Sequence, residues 1–159
     1  MTGLFNRRYI DIVLEQHFSL YRRLGQRFGV TQIDIDGFKP INDAFGHATG
    51  DEALRFVAGV LSDGTRKMDL LARYGGDEFV VVSAVGDGVA LERLAARAVQ
   101  TVRGSRFVTA AEEALPMTVS AGATLVNPDD TSGASVLARA DRAMYDAKKV
   151  GGDRFCLVS

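Results

Sequence analysis

The chain has 159 residues, 47% hydrophobic and 25% charged, a composition typical of one compact domain with a sizeable core. Nineteen basic residues against twenty acidic ones leave a net charge of -1, without the basic tract that a nucleic-acid backbone attracts, so nucleic acid is not an expected partner. No apolar run reaches the ~20 residues that cross a bilayer, and no secretory signal pattern opens the chain, so we expect no membrane segment in it.

Periodicity predicts a helix and then a strand in the first part of the chain. Apolar side chains recur at helical spacing over residues 8–28. From Gln32 onward polar and apolar residues alternate, which predicts a half-buried strand with Asp34 and Asp36 on its polar face. We interpret Asp36 as the N-cap of the next helix, because Asp readily accepts hydrogen bonds from a first turn. Asp34 remains a candidate metal ligand.

Helices and strands alternate through the rest of the chain. A short helix over 40–45 ends at Gly46, and a helix over 51–62 begins with Asp51. The remaining predicted elements are strands over 69–73 and 78–83, a helix over 89–103, a strand over 117–126, a helix over 133–149 and a strand over 154–158. Strands interleaved with crossover helices predict an α/β fold, a three-layer sandwich with a mixed central β-sheet, helices on both faces and one tight β-hairpin.

Two glycines and two carboxylates lie at the turn of that hairpin. Glycine takes positive φ without steric cost, so Gly75-Gly76 favours a sharp reversal that a ligand can approach closely. Asp77 and Glu78 follow directly, and a half-buried acidic pair is costly unless a cation or donors compensate it. We therefore expect Asp34 and Asp77 to share one divalent metal site. On this motif alone, a solvated acidic turn is the alternative.

Cys156, the only cysteine, lies in the last predicted strand and can form no disulfide within the chain. A buried free thiol fits a reducing compartment, so we expect a cytoplasmic location. A parent protein could still be anchored in a membrane through an upstream region.

Several segments form one co-linear pattern over nearly the whole chain. They are residues 2–8 (TGLFNRR), 34–43 (DIDGFKPIND), Gly46-His47 with Gly50-Asp51, 73–79 (RYGGDEF) and 140–148 (ADRAMYDAK). Together they closely resemble the GGDEF family of diguanylate cyclases, and so many motifs in one order are far more specific than any one of them. The resemblance implies a nucleotidyl cyclase and polymerase palm-like fold, with residues 1–159 as a single catalytic domain excised from a longer regulated protein.

The resemblance implies a reaction between two nucleotides. The 3′-hydroxyl of each GTP would attack the α-phosphorus of the other, giving cyclic di-GMP and pyrophosphate. Each subunit would hold one GTP, so the implied enzyme works as a homodimer. One alternative is a degenerate module that senses GTP or cyclic di-GMP without synthesis. Another is a hybrid cyclase that makes cyclic GMP-AMP, against which Asp51 argues.

The resemblance also implies metal-binding and catalytic roles. Two Mg²⁺ ions per active site, or Mn²⁺ in their place, would be bound by the carboxylates of Asp34 and Asp77 and the backbone carbonyl of Ile35. Asp77, at a position that is Asp or Glu in the family, would also act as the general base, although a bound cation lowers the pKa of a carboxylate and makes it a poor base. Glu78 is carried over as a supporting acid, and Lys39 as a group that stabilises the transition state.

Substrate contacts are implied along the same motifs. Asn42 and Asp51 resemble the pair that hydrogen-bonds the guanine edge, an arrangement that favours GTP over ATP. His47 is either a further substrate contact or a helix-terminal histidine bonding a carbonyl. The implied substrate-binding set is Phe38, Lys39, Asn42, His47, Asp51, Gly75, Gly76 and Lys148.

One position departs from the family pattern. Gly152 stands where an arginine often follows the glycine after the last helix. We expect Lys149 or Arg154 to replace the phosphate contact that this arginine would make, or GTP to bind more weakly.

Arg66 and Asp69, three positions apart, match the family's product-inhibition motif at the expected distance before Gly75. The implied ligand is intercalated cyclic di-GMP, because Arg can bind a phosphate or guanine edge while Asp accepts from guanine N–H groups. Arg97, or Arg93 on the same predicted helix, would be a secondary contact. The alternative is a surface ion pair worth at most ~1 kcal/mol.

Overall fold

A six-stranded mixed sheet forms the centre of the computed structural model, which describes residues 2–158. In chain order the elements are β1 (Phe5–Asn6), α1 (Arg7–Leu24), β2 (Gly29–Ile35), α2 (Phe38–Gly64), β3 (Leu70–Gly75), β4 (Glu78–Ser83), α3 (Gly88–Gly104), β5 (Phe107–Val108), β6 (Ala114–Leu115), β7 (Val119–Leu125), α4 (Gly133–Lys149) and β8 (Phe155–Val158). The strand order is β1-β3-β4-β2-β7-β8, and β5 pairs with β6 separately. The predicted α/β class, with its mixed sheet and tight β3–β4 hairpin, is confirmed.

Helices cover both faces of this sheet. α1 and α4 pack on one face, where their apolar side chains meet Val30, Val80 and Val82. α2 and α3 pack on the other face, against Ile33 and Ile35 among others. Because successive residues of a strand point to opposite faces, each central strand contributes to both cores. Within residues 2–158, no helix combines the length and the apolar composition needed to cross a membrane.

The strand β2 lies in the middle of the sheet. It pairs antiparallel with β4 on one side and with β7 on the other, and all of its residues are buried. The expectation of a half-buried strand was therefore wrong. Gln32 and Asp34 produce the alternation in the sequence, but α1 and α4 cover their face and leave them only 2% and 8% exposed.

Asp36 does not cap the helix that follows it. The N-cap of α2 is Gly37, and no side chain bonds the first turn. Asp36 instead accepts hydrogen bonds from the hydroxyls of Thr118 and Ser120, at 2.9 and 2.7 Å, and from the N–H of Asp153 at 2.9 Å. It therefore ties the chain just after β2 to β7 and to the loop before β8.

The two helices predicted around Gly46 are present as two helical segments of α2, separated by a break at that residue. Gly46 has φ 81° and ψ 161° inside α2, a conformation that glycine adopts at low cost. Residues on both sides of the break are helical, so Asp51 lies within a helix instead of starting one. The break turns the second segment of α2 relative to the first.

Some boundaries and short elements differ from the prediction. α1 ends at Leu24, before the predicted 28, because Gly25 takes a left-handed φ of 67° and its N–H bonds the carbonyl of Tyr21. The two-residue strands β1, β5 and β6 were not predicted. A segment of two residues is too short to show any periodicity.

Candidate active site

Three carboxylates lie where β2 ends and the β3–β4 hairpin turns. Asp34, near the end of β2, is directly opposite Glu78, the first residue of β4. The N–H of Ile35 donates to the carbonyl of Asp77 at 3.3 Å. Strand pairing therefore makes neighbours of Asp34 and Asp77, which are distant in the sequence.

Asp34 is the most deeply buried of these carboxylates. Its Oδ1 accepts a hydrogen bond from Nζ of Lys148, in the last turn of α4. Burial raises the pKa of Asp34 to about 6, Lys148 opposes the rise, and the negative charges of Asp77 and Glu78 add to it. Burial and the neighbouring carboxylates thus both disfavour the ionised form of Asp34, and a cation bound at this end of β2 would favour it.

The raised pKa of Asp34 predicts how stability depends on pH when no divalent ion is present. The folded carboxyl keeps its proton up to a pKa of about 6, whereas an unperturbed one loses it near 3.8. Between these values the folded state binds more protons, so we expect the free energy of unfolding to fall as the pH rises through this window. Asp34→Asn should remove much of that fall. Urea denaturation in the presence of EDTA between about pH 4 and pH 7 would measure the change, and an equal slope in both proteins would contradict the assignment.

Glu78 lies in a second group of charges. Burial is the main cause that raises the pKa of Glu78, followed by the charges of Asp141 and Asp77, while Lys148 and Arg7 oppose the rise. Asp141 was not predicted as a site residue. The available signal was spacing, since Asp141 precedes Lys148 by two helical turns and projects from the same side of α4.

Arg73 braces the turn that carries Asp77. Its Nε and Nη2 both donate to the carbonyl of Gly76, at 2.9 and 2.6 Å. Gly76 has φ 42°, and the strand register shifts between Arg73 and Gly75. In the sequence, Arg73 belongs to the motif over 73–79, and no role was predicted for it. Its position at a strand end beside a glycine turn was the only sign that it would bond the turn.

The start of α2 presents free backbone N–H groups near the carboxylates. Its N-cap is Gly37, with φ 67° and no side-chain hydrogen bond to the first turn. Phe38 is half-buried against the core on the α2 side, and Lys39 is exposed. A helix N-terminus without a capping side chain, together with a lysine, is suited to bind an anion such as a phosphate.

The break in α2 brings the predicted guanine-binding residues toward each other. A Cβ on Gly50 would lie 1.9 Å from Oδ1 of Asn42, so the side chain of Asn42 lies against the backbone of Gly50. In an unbroken helix these positions would be ~12 Å apart along the axis. Asp51 follows Gly50 and is exposed, as is His47 just after the break. The structure thus brings the side chain of Asn42 against the residue that precedes Asp51.

Gly152 packs against Asp36. It has φ 69°, and a Cβ there would lie 2.9 Å from Oδ1 of Asp36. Of the two predicted replacements for an arginine here, Lys149 lies over the ring of Tyr145 at 4.3 Å, and Nε of Arg154 donates to the carbonyl of Gly152 at 3.0 Å. Both side chains have partners other than the carboxylate edge.

Arg66 and Asp69 lie beside a separate cavity of ≈ 350 Å³ at the start of β3. The N–H of Asp69 donates to the carbonyl of Arg66 at 3.0 Å, and Oδ2 of Asp69 is buried without a hydrogen-bond partner. Gly3, Leu4 and Phe5 line the cavity with them. Arg97 is exposed on α3 and is not among the lining residues.

The candidate metal ligands are all oxygen donors. They are the carboxylates of Asp34 and Asp77 and the backbone carbonyl of Ile35, a set that suits Mg²⁺ or Mn²⁺. Among residues 2–158 no three His, Cys, Asp or Glu side chains converge on one point. A site built from two carboxylates and one backbone carbonyl agrees with that. Burial first, and then the charges of Asp77 and Glu78, disfavour the ionised form of Asp34, and a bound cation would favour it.

Comparison with known proteins gives a consistent result. The family model described as "Diguanylate cyclase, GGDEF domain" matches residues 1–154. The diguanylate cyclase DgcP of Pseudomonas aeruginosa is 39% identical over 97% of this chain. The response regulator PleD of Caulobacter vibrioides is 41% identical over 95% of it. The chain spans only 23% of the length of DgcP and 34% of that of PleD.

A solved structure agrees with the fold over almost the whole chain. The GGDEF domain of DgcB from Caulobacter crescentus, crystallised with c-di-GMP, superposes with a TM-score of 0.93 at 32% identity, covering 98% of this chain and 89% of that one.

Proposed function

This chain belongs to the GGDEF family of diguanylate cyclases, and on that premise we propose that it condenses two GTP molecules into cyclic di-GMP. The observation that carries the proposal is that Asp34, Asp77 and Glu78 lie together where β2 ends and β4 begins. The uncapped start of α2 with Lys39 lies after the same strand. We propose further that residues 1–159 act as one catalytic domain of a longer cytoplasmic protein.

The reaction needs two copies of the chain. In each half, a bond forms between the 3′-oxygen of one GTP and the α-phosphorus of the other. The bond from that phosphorus to the bridging oxygen of the β-phosphate breaks, and pyrophosphate leaves. One copy binds one GTP, so two sites must face each other in a homodimer. Positioning the two nucleotides supplies much of the rate, because it makes the encounter of their reacting atoms effectively intramolecular.

Asp34, Asp77 and the carbonyl of Ile35 would hold the divalent cations, two in each site. When bound, Mg²⁺ or Mn²⁺ neutralises phosphate charge and stabilises the attacking and leaving oxygens. Lys148 occupies Oδ1 of Asp34 in the structure. We propose that this lysine moves from Asp34 to the triphosphate when the nucleotide binds, since the triphosphate carries more negative charge than a single carboxylate.

The remaining side chains have distinct tasks. Asp77 is primarily a metal ligand, and a carboxylate bound to a cation is a weak general base. Glu78, whose pKa is raised by burial, supports the site as an acid. Lys39 and the N–H groups at Phe38 and Lys39 would bind the β- and γ-phosphates as charge develops there.

The surface around Asn42 would bind guanine. The carboxylate of Asp51 accepts from the N1–H and N2–H₂ of guanine, and the amide of Asn42 serves O6 or N3. Adenine would leave these groups unpaired, so the site would bind GTP more tightly than ATP. His47 would be a further substrate contact, and Gly75 and Gly76 let the nucleotide approach the turn backbone.

The proposal is tested by incubating the chain at high concentration with GTP and Mg²⁺ and separating the products by chromatography. The same assay on the chain fused to a dimeric coiled coil shows whether a lack of product results only from a failure of the isolated chain to dimerise. We expect cyclic di-GMP with two pyrophosphates per product molecule. A degenerate sensor would bind GTP and give no product even in the fused dimer, and a hybrid cyclase would give cyclic GMP-AMP when ATP is added.

We also propose that cyclic di-GMP inhibits the enzyme at Arg66 and Asp69, with Arg97 as a secondary contact. The unpartnered Oδ2 of Asp69 beside the ≈ 350 Å³ cavity supports this, because it can accept from a guanine N–H. Arg66→Ala should raise the inhibition constant at least about tenfold by removing a bidentate charged contact. Initial rates against added cyclic di-GMP measure the constant. Arg23→Ala, an exposed arginine on α1, is the matched control. An unchanged constant in Arg66→Ala would remove the inhibitory assignment.

A further inference from the structure

A cavity of ≈ 260 Å³ lies between α1, α4 and the sheet, on the face opposite α2 and α3. Its polar lining consists of Asp11, Gln32, Glu78 and Asp141, while Leu137 and the ring of Tyr74 contribute apolar wall. Asp11 comes from α1, Glu78 from β4 and Asp141 from α4. Three different elements thus direct carboxylates into one space.

These carboxylates are poorly compensated by the protein. None of Asp11, Glu78 and Asp141 belongs to an ion pair in the described part of the chain. The cations that act on Glu78 are Arg7, whose guanidinium lies over the ring of Tyr74 at 4.6 Å, and Lys148, which bonds Asp34. Neither of them lines the cavity. The cavity therefore attracts positive charge.

Gln32 is an independent sign that a hydrogen-bond donor belongs here. It is 2% exposed, and its Oε1 is buried without a hydrogen-bond partner. Buried amide oxygens are almost always paired, because an unmade hydrogen bond is costly. The amide oxygen of Gln32 and the carboxylates beside it are all hydrogen-bond acceptors, so a ligand that donates several N–H groups would suit this cavity.

The spread of the acidic groups argues against a metal ion. In residues 2–158 no three side chains of His, Cys, Asp or Glu are close enough together to share one. A planar guanidinium carries five N–H donors in a wide fork, so it can reach acceptors that a compact ion cannot. A short aliphatic chain attached to it would lie against Leu137.

We propose that this cavity binds a guanidinium group carried on a short aliphatic chain, through Asp11, Glu78, Asp141 and the amide oxygen of Gln32. The same chemistry is offered by a small guanidino compound and by an arginine side chain of a polypeptide. Binding at this cavity requires neither GTP nor a metal ion, so its test is independent of the proposed synthesis of cyclic di-GMP.

Calorimetry of the chain in metal-free, low-salt buffer tests the proposal with n-butylguanidinium as the probe. A fragment of this size is expected to bind with a Kd of about 0.1–1 mM. n-Butylurea, which has nearly the same shape and no charge, should bind at least about tenfold more weakly. N-acetylarginine methylamide forms the second arm. If it binds as well as butylguanidinium, the cavity accepts an arginine within a polypeptide, and if it binds far more weakly, the cavity is restricted to free compounds.

Two variants locate the binding site. Asp141→Asn and Asp11→Asn change exposed residues, so they should fold, and each should weaken butylguanidinium binding about tenfold. Asp146→Asn removes one negative charge from an exposed position of the same helix and should leave the affinity unchanged. Equal binding of butylurea, or wild-type affinity in both Asp11→Asn and Asp141→Asn, would overturn the proposal.

Arg7→Ala tests whether the chain's own Arg7 occupies the cavity when the wild-type chain binds neither probe. If the wild-type chain binds neither probe and Arg7→Ala binds butylguanidinium, the chain's own Arg7 fills the cavity in solution and no external ligand is needed. If neither protein binds it, the cavity has no guanidinium site. Either result overturns the proposal.

Discussion

Asp77→Ala is expected to reduce the rate of cyclic di-GMP formation by about 10³-fold, because it removes a carboxylate of the proposed metal site, which would hold the cations at the reacting phosphates. Its backbone carbonyl would still accept from the N–H of Ile35, so the pairing of the hairpin with β2 should persist. The initial rate with saturating GTP and Mg²⁺ is the measurement. Circular dichroism before the assay establishes that the variant is folded.

Matched variants separate this effect from a general loss of charge. Asp77→Glu keeps a carboxylate at the turn and should retain most of the activity. Asp63→Asn removes a carboxylate from an exposed position near the end of α2 and should leave the rate unchanged. If Asp77→Ala remained as active as Asp63→Asn, Asp77 would have no part in binding the metal.

Gly122→Ala is expected to destabilise the protein strongly. A Cβ at this position of β7 would lie 2.1 Å from both the carbonyl oxygen of Ala140 and the N–H nitrogen of Met144. Both obstacles are backbone atoms of α4, so no side chain can rotate away. The helix must move, and we expect a loss of about 3 kcal/mol in the free energy of unfolding. Urea denaturation measures that loss.

The same displacement should reach the active site, because α4 carries the Lys148 that bonds Asp34. Gly59→Ala is the matched control. Gly59 lies on the exposed side of α2 with open space around its Cβ position, so alanine should stabilise the helix by about 0.5–1 kcal/mol. A Gly122→Ala protein as stable as wild type would mean that β7 and α4 are not in such close contact.

Elements with strong local signals were predicted closely. The bounds predicted for α4, 133–149, match the structure, where Ser132 and Ser135 form a capping box at its start. The burial of β2 was not predicted, because alternation shows which residues share a face but not whether a helix covers it. Nothing near Gln32 in the sequence reveals that α1 and α4 lie above it.

The candidate site, like the fold, could be predicted from the sequence only in part. The meeting of Asp34 with Asp77 followed from a strand and a hairpin that each had clear signals. The bonding of Asp36 could not be predicted, since Thr118, Ser120 and Asp153 reach it from β7 and the loop before β8. An N-cap was the best local interpretation of that residue. The contacts that correct it exist only once distant strands pair.

The most direct test of the account is to locate the divalent ion by NMR, with Mn²⁺ as the probe and 3′-deoxy-GTP as an unreactive substrate. Mn²⁺ broadens nearby resonances, so the amide signals of Ile35, Asp77 and Glu78 should disappear first. Those signals should persist at the same Mn²⁺ concentration in Asp34→Ala. Selective broadening elsewhere in the chain, or none at all in the presence of the nucleotide, would contradict a metal site shared by Asp34 and Asp77.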